Sequence, residues 1–202
     1  MGETISLSEL NRRLDKLLAD AEGPLLVAID GPCGSGKSTL ARQLADERGA
    51  ALFHMDDYYL PFERRIPDWK HVPGANMDFE RLRDEVLDPL KRLKEQKARP
   101  PYPALACAAY RPREGRMIPA AVQPGQLNFL EGSYCLFPQL EDSYDMRLFL
   151  DCPAKTREQR LRKREGAYYE EGFVKLWIPL EQAYHSLCRV RERALILQPE
   201  NL

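Results

Sequence analysis

A chain of 202 residues can bury a sizeable core without disulfides or a structural metal. Its 30 lysines and arginines balance 31 aspartates and glutamates, so no overall field favours nucleic acid or an anionic membrane surface. Five cysteines without a CxxC pair, three scattered histidines, no apolar run of membrane-spanning length and no apolar signal-peptide core together predict a soluble, cytoplasmic protein.

In chain order, Ser6-Leu7-Ser8-Glu9 has the form of a capping box. Leu7, Leu10, Leu14, Leu17 and Leu18 follow at helical spacing, and Gly23-Pro24 stops this N-terminal helix, residues 1–23. Leu25 to Ile29 reads as a strand buried on both faces. Gly31-Pro32-Cys33-Gly34-Ser35-Gly36-Lys37-Ser38 then fits GxxxxGK[ST], and Leu40, Ala41, Leu44 and Ala45 open a helix directly after it. A second apolar run, Ala51 to Met55, completes a βαβ unit and hence a parallel sheet. The irregular stretch from Leu60 to Asn76 is long enough to be a binding loop or lid. Phe79 to Lys97 reads as a helix kinked or broken at Pro89, and 98–126 as a proline-rich insertion with a small hairpin. Strands follow at Leu127–Gly132 and Met146–Asp151. A helix from Pro153 opens a short lid region (153–170), a second helix covers roughly Phe173 to Arg191 with Pro179 disturbing it, and a last strand lies at Ala194–Leu197. No linker interrupts this order, which predicts one domain over 1–202: an α/β fold with about five parallel strands and helices on both faces.

The strand, loop and helix around Gly31 to Thr39 carry the chemistry. Glycines let backbone N–H groups wrap round phosphate oxygens, and the helix start adds the positive end of its dipole. Lys37 would reach the β- and γ-phosphates and the Ser38 hydroxyl would bind Mg2+. Four predicted strands end in an acid, Asp30, Asp56, Glu131 and Asp151, and the C-terminal ends of parallel strands share the ligand-binding edge. Asp56, followed by aromatics that would wall a small-molecule pocket, is the candidate general base, with Asp57 as its competitor. Glu131, ending a buried strand, is the candidate magnesium-positioning acid. Asp151 precedes a helix start and reads as a residue of its N-cap region. Arg157, Arg160 and Arg164 share one helix face, which is either a solvated surface or a set of arginines closing over a triphosphate.

Taken together, Ile29 to Thr39, His54 to Tyr59, Asn76-Met77-Asp78, Phe129 to Gly132, and Thr156-Arg157 through Arg160 to Arg164-Glu165 resemble the uridine kinase-like P-loop kinases. That group includes nicotinamide riboside kinases and phosphoribulokinase. The first piece alone also looks like cytidylate kinase, whereas the later pieces do not. The resemblance implies the P-loop NTPase fold and ATP-dependent phosphorylation of a hydroxyl, usually a nucleoside 5′-hydroxyl, with Mg2+. It implies Asp56 as base, Asp78 as holder of the sugar, Tyr59 and Tyr102 as substrate residues, and the arginine helix, with Arg160 and Arg164, as the lid. Two departures stand out. Pro101-Tyr102 is followed by Pro103 and no histidine lies between His71 and His185, which weakens a pyrimidine nucleoside as acceptor. Gly166-Ala167-Tyr168-Tyr169 replaces the further lid arginines of uridine kinases. The leading expectation is therefore a kinase for a nucleoside-like small molecule, with no nucleic-acid or membrane partner. Nicotinamide riboside or a sugar phosphate as acceptor, a non-catalytic nucleotide switch, GTP in place of ATP and a homo-oligomeric state stay open. So do the roles of Trp177, Glu181 and Tyr184, which share one helix face; packing is favoured for Trp177.

Overall fold

In the computed structural model, which describes residues 2–198, strand β2 (Leu25–Asp30) is buried along its whole length. It lies between β6 (Leu127–Glu131) and β7 (Met146–Leu150); β3 (Ala51–His54) flanks β6 and β8 (Leu195–Leu197) flanks β7. A two-residue strand, β1 (Thr4–Ile5), pairs with β8 at the far edge, giving six strands in the order β1-β8-β7-β2-β6-β3, every neighbour parallel. The sixth strand is the one beyond expectation. Two residues are too few to show a period in sequence, and β1 exists because β8 offers it an open edge.

Alternation along β2 divides the core. Leu25, Val27 and Ile29 face α1 (Leu7–Ala19) and α2 (Lys37–Arg48), with Leu10, Leu14, Leu40 and Leu44 packed on them. Leu26 and Ala28 face the opposite layer, with Leu82, Val86, Leu87, Leu90 and Tyr184. Ser6 caps α1 by accepting from the Glu9 N–H, but the Glu9 carboxylate turns to Arg12 and Arg13, so only half of the capping box forms.

Both helix-internal prolines leave the same mark. Helix α3 (Phe79–Leu82) continues without interruption through a π-type turn, Arg83–Leu87, into α4 (Asp88–Glu95). Pro89 has no N–H, and its ring crowds the carbonyl four residues back; widening the preceding turn avoids the clash without breaking the helix. Pro179 sits likewise at the start of α6 (Ile178–Leu187), after a π-type segment Tyr169–Trp177. The insertion contains an antiparallel hairpin, β4 (Leu105–Arg111) and β5 (Arg116–Val122), paired from Leu105–Val122 to Arg111–Arg116. Helix α5 (Ala154–Glu165) follows β7.

This topology places the ends of β2, β3 and β6 together. Asp30, His54 and Glu131 are their last residues, on the edge from which the glycine-rich loop rises. No helix among the described residues is long and apolar enough to cross a membrane.

Candidate active site

The loop Gly31 to Ser38 bridges β2 and α2 under tight steric limits. Gly31 has φ +148°, and a Cβ there would stand 2.5 Å from the Leu150 carbonyl oxygen; at Gly34, φ +76°, it would stand 2.9 Å from the Arg157 carbonyl. Neither position tolerates a side chain, because the backbones of β7 and α5 close on the loop from outside. Lys37 is buried and its Nζ donates to the Gly31 carbonyl at 2.6 Å and the Pro32 carbonyl at 3.3 Å. Burial alone would depress its ammonium; the charge of Glu181, joined by Cys33, Asp30 and Glu131, more than reverses this and keeps Lys37 charged.

A cavity of about 230 Å³ opens in front of the loop. It is lined by Cys33 to Thr39 of the loop and the start of α2 (Ser35 excepted), by Asp56 and Tyr59 after β3, by Glu131 to Tyr134 at the end of β6, and by Arg164, Phe173, Trp177 and Glu181. Ser38 Oγ donates to Glu131 Oε2 at 3.1 Å, and His54 Nδ1 lies 2.7 Å from Glu131 Oε1. The Glu131 hydrogen bond raises the His54 pKa above its usual value, against a smaller opposing effect of burial. One carboxylate and one hydroxyl, both hard oxygen donors, are a donor set that suits Mg2+, which keeps waters and takes phosphate oxygens for the rest of its shell. Among the described residues no group of three or more His, Cys, Asp or Glu side chains is arranged to hold a metal by itself, so a cation here would depend on the phosphates.

Asp56 stands on a short 3-10 turn, Met55–Tyr58, directly after β3. Its carboxylate faces the cavity and accepts from the Tyr59 hydroxyl at 3.2 Å. Asp56 keeps access to solvent through the cavity; crowding by the surrounding protein, followed by the charge of Glu131, pushes its pKa above the ordinary aspartate value, and Lys37 and Tyr59 oppose the rise. Asp57 turns the other way and pairs with Arg111 of the hairpin at 2.7 Å. The outer wall is aromatic: the Tyr59 and Trp177 rings are 6.4 Å apart, and Trp69 lies 5.9 Å from Trp177.

Three other expected residues lie elsewhere. Tyr102 hydrogen-bonds Gln126 Oε1 at 2.9 Å, beside the starts of β2 and β6, on the edge opposite the loop. The proline-rich stretch before the hairpin ties Tyr102 to Ala98, Gln123 and Gln126, away from the cavity. Asp78 caps α3, accepting from the Arg81 N–H at 3.2 Å, and pairs with Arg64 at 3.0 Å; it is buried outside the cavity wall. Arg160 donates to the Ser35 carbonyl at 3.0 Å from behind the loop, and Arg157 to the Cys152 carbonyl, so of the arginine row Arg164 alone lines the cavity. Asp151 pairs with Arg191 at 2.8 Å.

Known proteins share this arrangement. A family model for cytidylate kinase matches residues 27–88. A uridine kinase of Clostridium botulinum is 31% identical over 143 residues, 66% of this chain and 65% of that protein. A cytidylate kinase of Pyrococcus furiosus is 27% identical over 155 residues, 77% of this chain and 65% of that protein. The chain thus spans about 65% of the length of these curated relatives. The structure of a "possible uridine kinase" from Bacillus stearothermophilus matches the fold with a TM-score of 0.65 at 23% identity, over 94% of this chain and 99% of that one. The chain has the fold of the P-loop kinases and is similar in sequence to uridine and cytidylate kinases. One expectation changes: the cytidylate kinase likeness does not end at the loop but reaches through β3, Asp56 and Asp78.

Several cavity residues escape the motif reading. Ser133 and Tyr134 continue directly from Glu131, so the strand end carried the signal for them. Trp177 and Glu181 come from the C-terminal helix, where a shared face gives no sign of what it meets. Trp177 does both jobs, packing on Leu161, Tyr169 and Phe173 while bordering the cavity. Tyr184 is fully buried and donates to Asp30 Oδ2 at 2.7 Å, a packing and anchoring role.

Proposed function

We propose that this protein transfers the γ-phosphoryl group of ATP to a hydroxyl of an uncharged, nucleoside-like small alcohol. The observation that carries the reading is Asp56: a carboxylate of raised pKa facing one cavity with the phosphate loop, backed by an aromatic wall. The loop amides, Lys37 and the start of α2 hold the phosphates and oppose the charge that accumulates on them. Ser38 and Glu131 would hold Mg2+, which would neutralise charge developing on the phosphates. Asp56 accepts the acceptor's hydroxyl proton as its oxygen bonds to the γ-phosphorus and the bond to the leaving ADP oxygen breaks. Tyr59 and Trp177 offer flat apolar faces to the acceptor, and Arg164 extends the positive field of Lys37.

The charge of the acceptor wall favours a neutral acceptor over a sugar phosphate. Arg64 is engaged by Asp78, and Arg65 is stacked on Phe62 at 4.1 Å and Trp69 at 4.7 Å while donating to the Leu60 carbonyl. Lys70 lies outside the cavity, against a separate groove. Asp56 and Glu181 would repel a second phosphate placed between them.

The test is ADP release with Mg-ATP across uridine, cytidine, nicotinamide riboside, D-ribose and ribulose phosphate. Asp56→Asn is expected to keep ATP affinity and to lose about 10²- to 10⁴-fold in acceptor-dependent kcat, the scale of general-base catalysis. Undiminished turnover in that variant removes Asp56 from the role. Ribulose phosphate outperforming every neutral alcohol would overturn the charge argument.

A further inference from the structure

Glu181 is a buried carboxylate that neither the loop motif nor the strand-end acids account for. It is 2% exposed, yet both of its oxygens reach the Cys33 N–H, at 2.7 and 2.9 Å, and Oε2 also accepts from Ser133 Oγ at 3.0 Å. A carboxylate offers about four lone-pair sites and can only accept. These three bonds lock its orientation and leave Oε1 with capacity for one more donor.

Its place defines what that donor can be. Trp177 lies one turn earlier on the same helical face and meets Tyr59, whose hydroxyl donates to Asp56. The segment that carries Glu181 therefore closes the same space that Asp56 opens on, and the Cys33 side chain feels the charge of both carboxylates. A γ-phosphate is a poor partner, because two like charges would meet. The Lys37 ammonium already faces the charge of Glu181, so the free lone pair on Oε1 suits a neutral donor such as a hydroxyl.

We propose that Glu181 is an acceptor-binding residue that selects a polyol: while Asp56 takes the reacting hydroxyl, Glu181 accepts a hydrogen bond from a second hydroxyl of the same molecule. This rests on the reading that a small alcohol is phosphorylated beside Asp56. It adds a requirement that reading lacks, namely that the acceptor carries two hydroxyls placed for two carboxylates. A sugar or ribonucleoside meets it. A simple mono-alcohol does not, and an acid or phosphate ester is repelled.

The experiment compares wild type, Glu181→Gln and Ser133→Ala with Mg-ATP and the best acceptor from uridine, nicotinamide riboside, D-ribose and D-fructose, each beside its deoxy analogues. Glu181→Gln keeps the shape and hydrogen-bonding reach of the side chain, and Ser133→Ala loosens the carboxylate without removing it. The expected result is an acceptor KM raised about ten- to a hundredfold in Glu181→Gln, a larger factor than the rise in the KM for Mg-ATP that follows from losing its charge beside Lys37 and its hold on the Cys33 N–H. A smaller rise of the same kind is expected in Ser133→Ala, which carries the test if the first variant fails to fold. One deoxy analogue should cost wild type a similar factor and cost Glu181→Gln little more. An unchanged acceptor KM, or a rise confined to Mg-ATP, assigns Glu181 to bracing the loop and overturns its role in selection while the kinase reading stands. Absence of acceptor-dependent ADP from wild type with all four alcohols overturns both.

Discussion

The two sides of the cavity are built by opposite means. On the phosphate side, eight consecutive residues do nearly everything, and most of their contribution comes from backbone N–H groups, one ammonium and a helix start. On the acceptor side, side chains converge from three distant segments: Asp56 and Tyr59 after β3, Ser133 and Tyr134 after β6, and Phe173, Trp177 and Glu181 from the last helical region. The phosphate side is thus local and generic, able to serve any nucleoside triphosphate. The acceptor side is assembled only by the tertiary fold, and it is where members of one family can differ.

Substitutions on the two sides should therefore fail in different kinetic constants. The largest effect is expected on the phosphate side. Lys37→Ala removes the ammonium from the cavity and should lower kcat by about 10²- to 10³-fold with every acceptor alike. Steady-state kinetics with two unrelated acceptors checks this, and a loss confined to one of them breaks the division. Next is Trp177→Ala on the acceptor side. It removes one aromatic face and should raise the acceptor KM about 5- to 100-fold for a ring-bearing acceptor, with kcat at saturation nearly unchanged. A rise in the KM for Mg-ATP instead would place Trp177 with the nucleotide.

The smallest kinetic effect is expected behind both walls. Burial pushes the Asp30 carboxyl up, but His185, with its Nε2 3.6 Å from Oδ1, the charge of Lys37 and the Tyr184 hydroxyl outweigh it and hold the group below its usual range. Tyr184→Phe removes one of these bonds and should cost about 1.5–3 kcal/mol of stability, measured by denaturant unfolding, with both KM values retained. The pH sign follows from the lowered value. Stability due to the ionised Asp30 is present above the pKa of the unfolded chain and is lost as pH falls through the depressed folded value. The gap between wild type and Tyr184→Phe should be full near neutrality and shrink in acid. A gap that widens in acid would contradict the assignment.

This division also explains what could be read before folding. The phosphate loop, β2, α2, β3 and Asp56 are legible because pattern and chemistry lie within about thirty residues of each other, and Glu131 is legible because it ends a short apolar run of its own. Asp56 could be preferred to Asp57 from position, but the pairing of Asp57 with Arg111 depends on where the hairpin packs. Tyr102 was misplaced for a related reason. Its neighbours suggest a motif, while the path of the proline-rich segment is set by its contacts with Gln123 and Gln126. The arginine row gave three residues one face, yet α5 lies so close to Gly34 that Arg160 meets the loop's carbonyls from behind. Strand β1 left no trace, being two residues long. Each miss belongs to geometry that only distant contacts decide.

The tie between Cys33 and Glu181 spans 148 residues. It has a counterpart at the sheet's edge, where β1 pairs with β8, and another where Tyr184 holds Asp30. During synthesis the signature loop therefore leaves the ribosome long before the parts that brace it. Until α6 and β8 emerge, the chain carries the phosphate motif without its finished acceptor wall, and β7 has an open edge. Such non-local closure slows the final stage of folding. A chain cut short of α6 would keep the most recognisable sequence of the fold and lack the wall proposed to hold the acceptor.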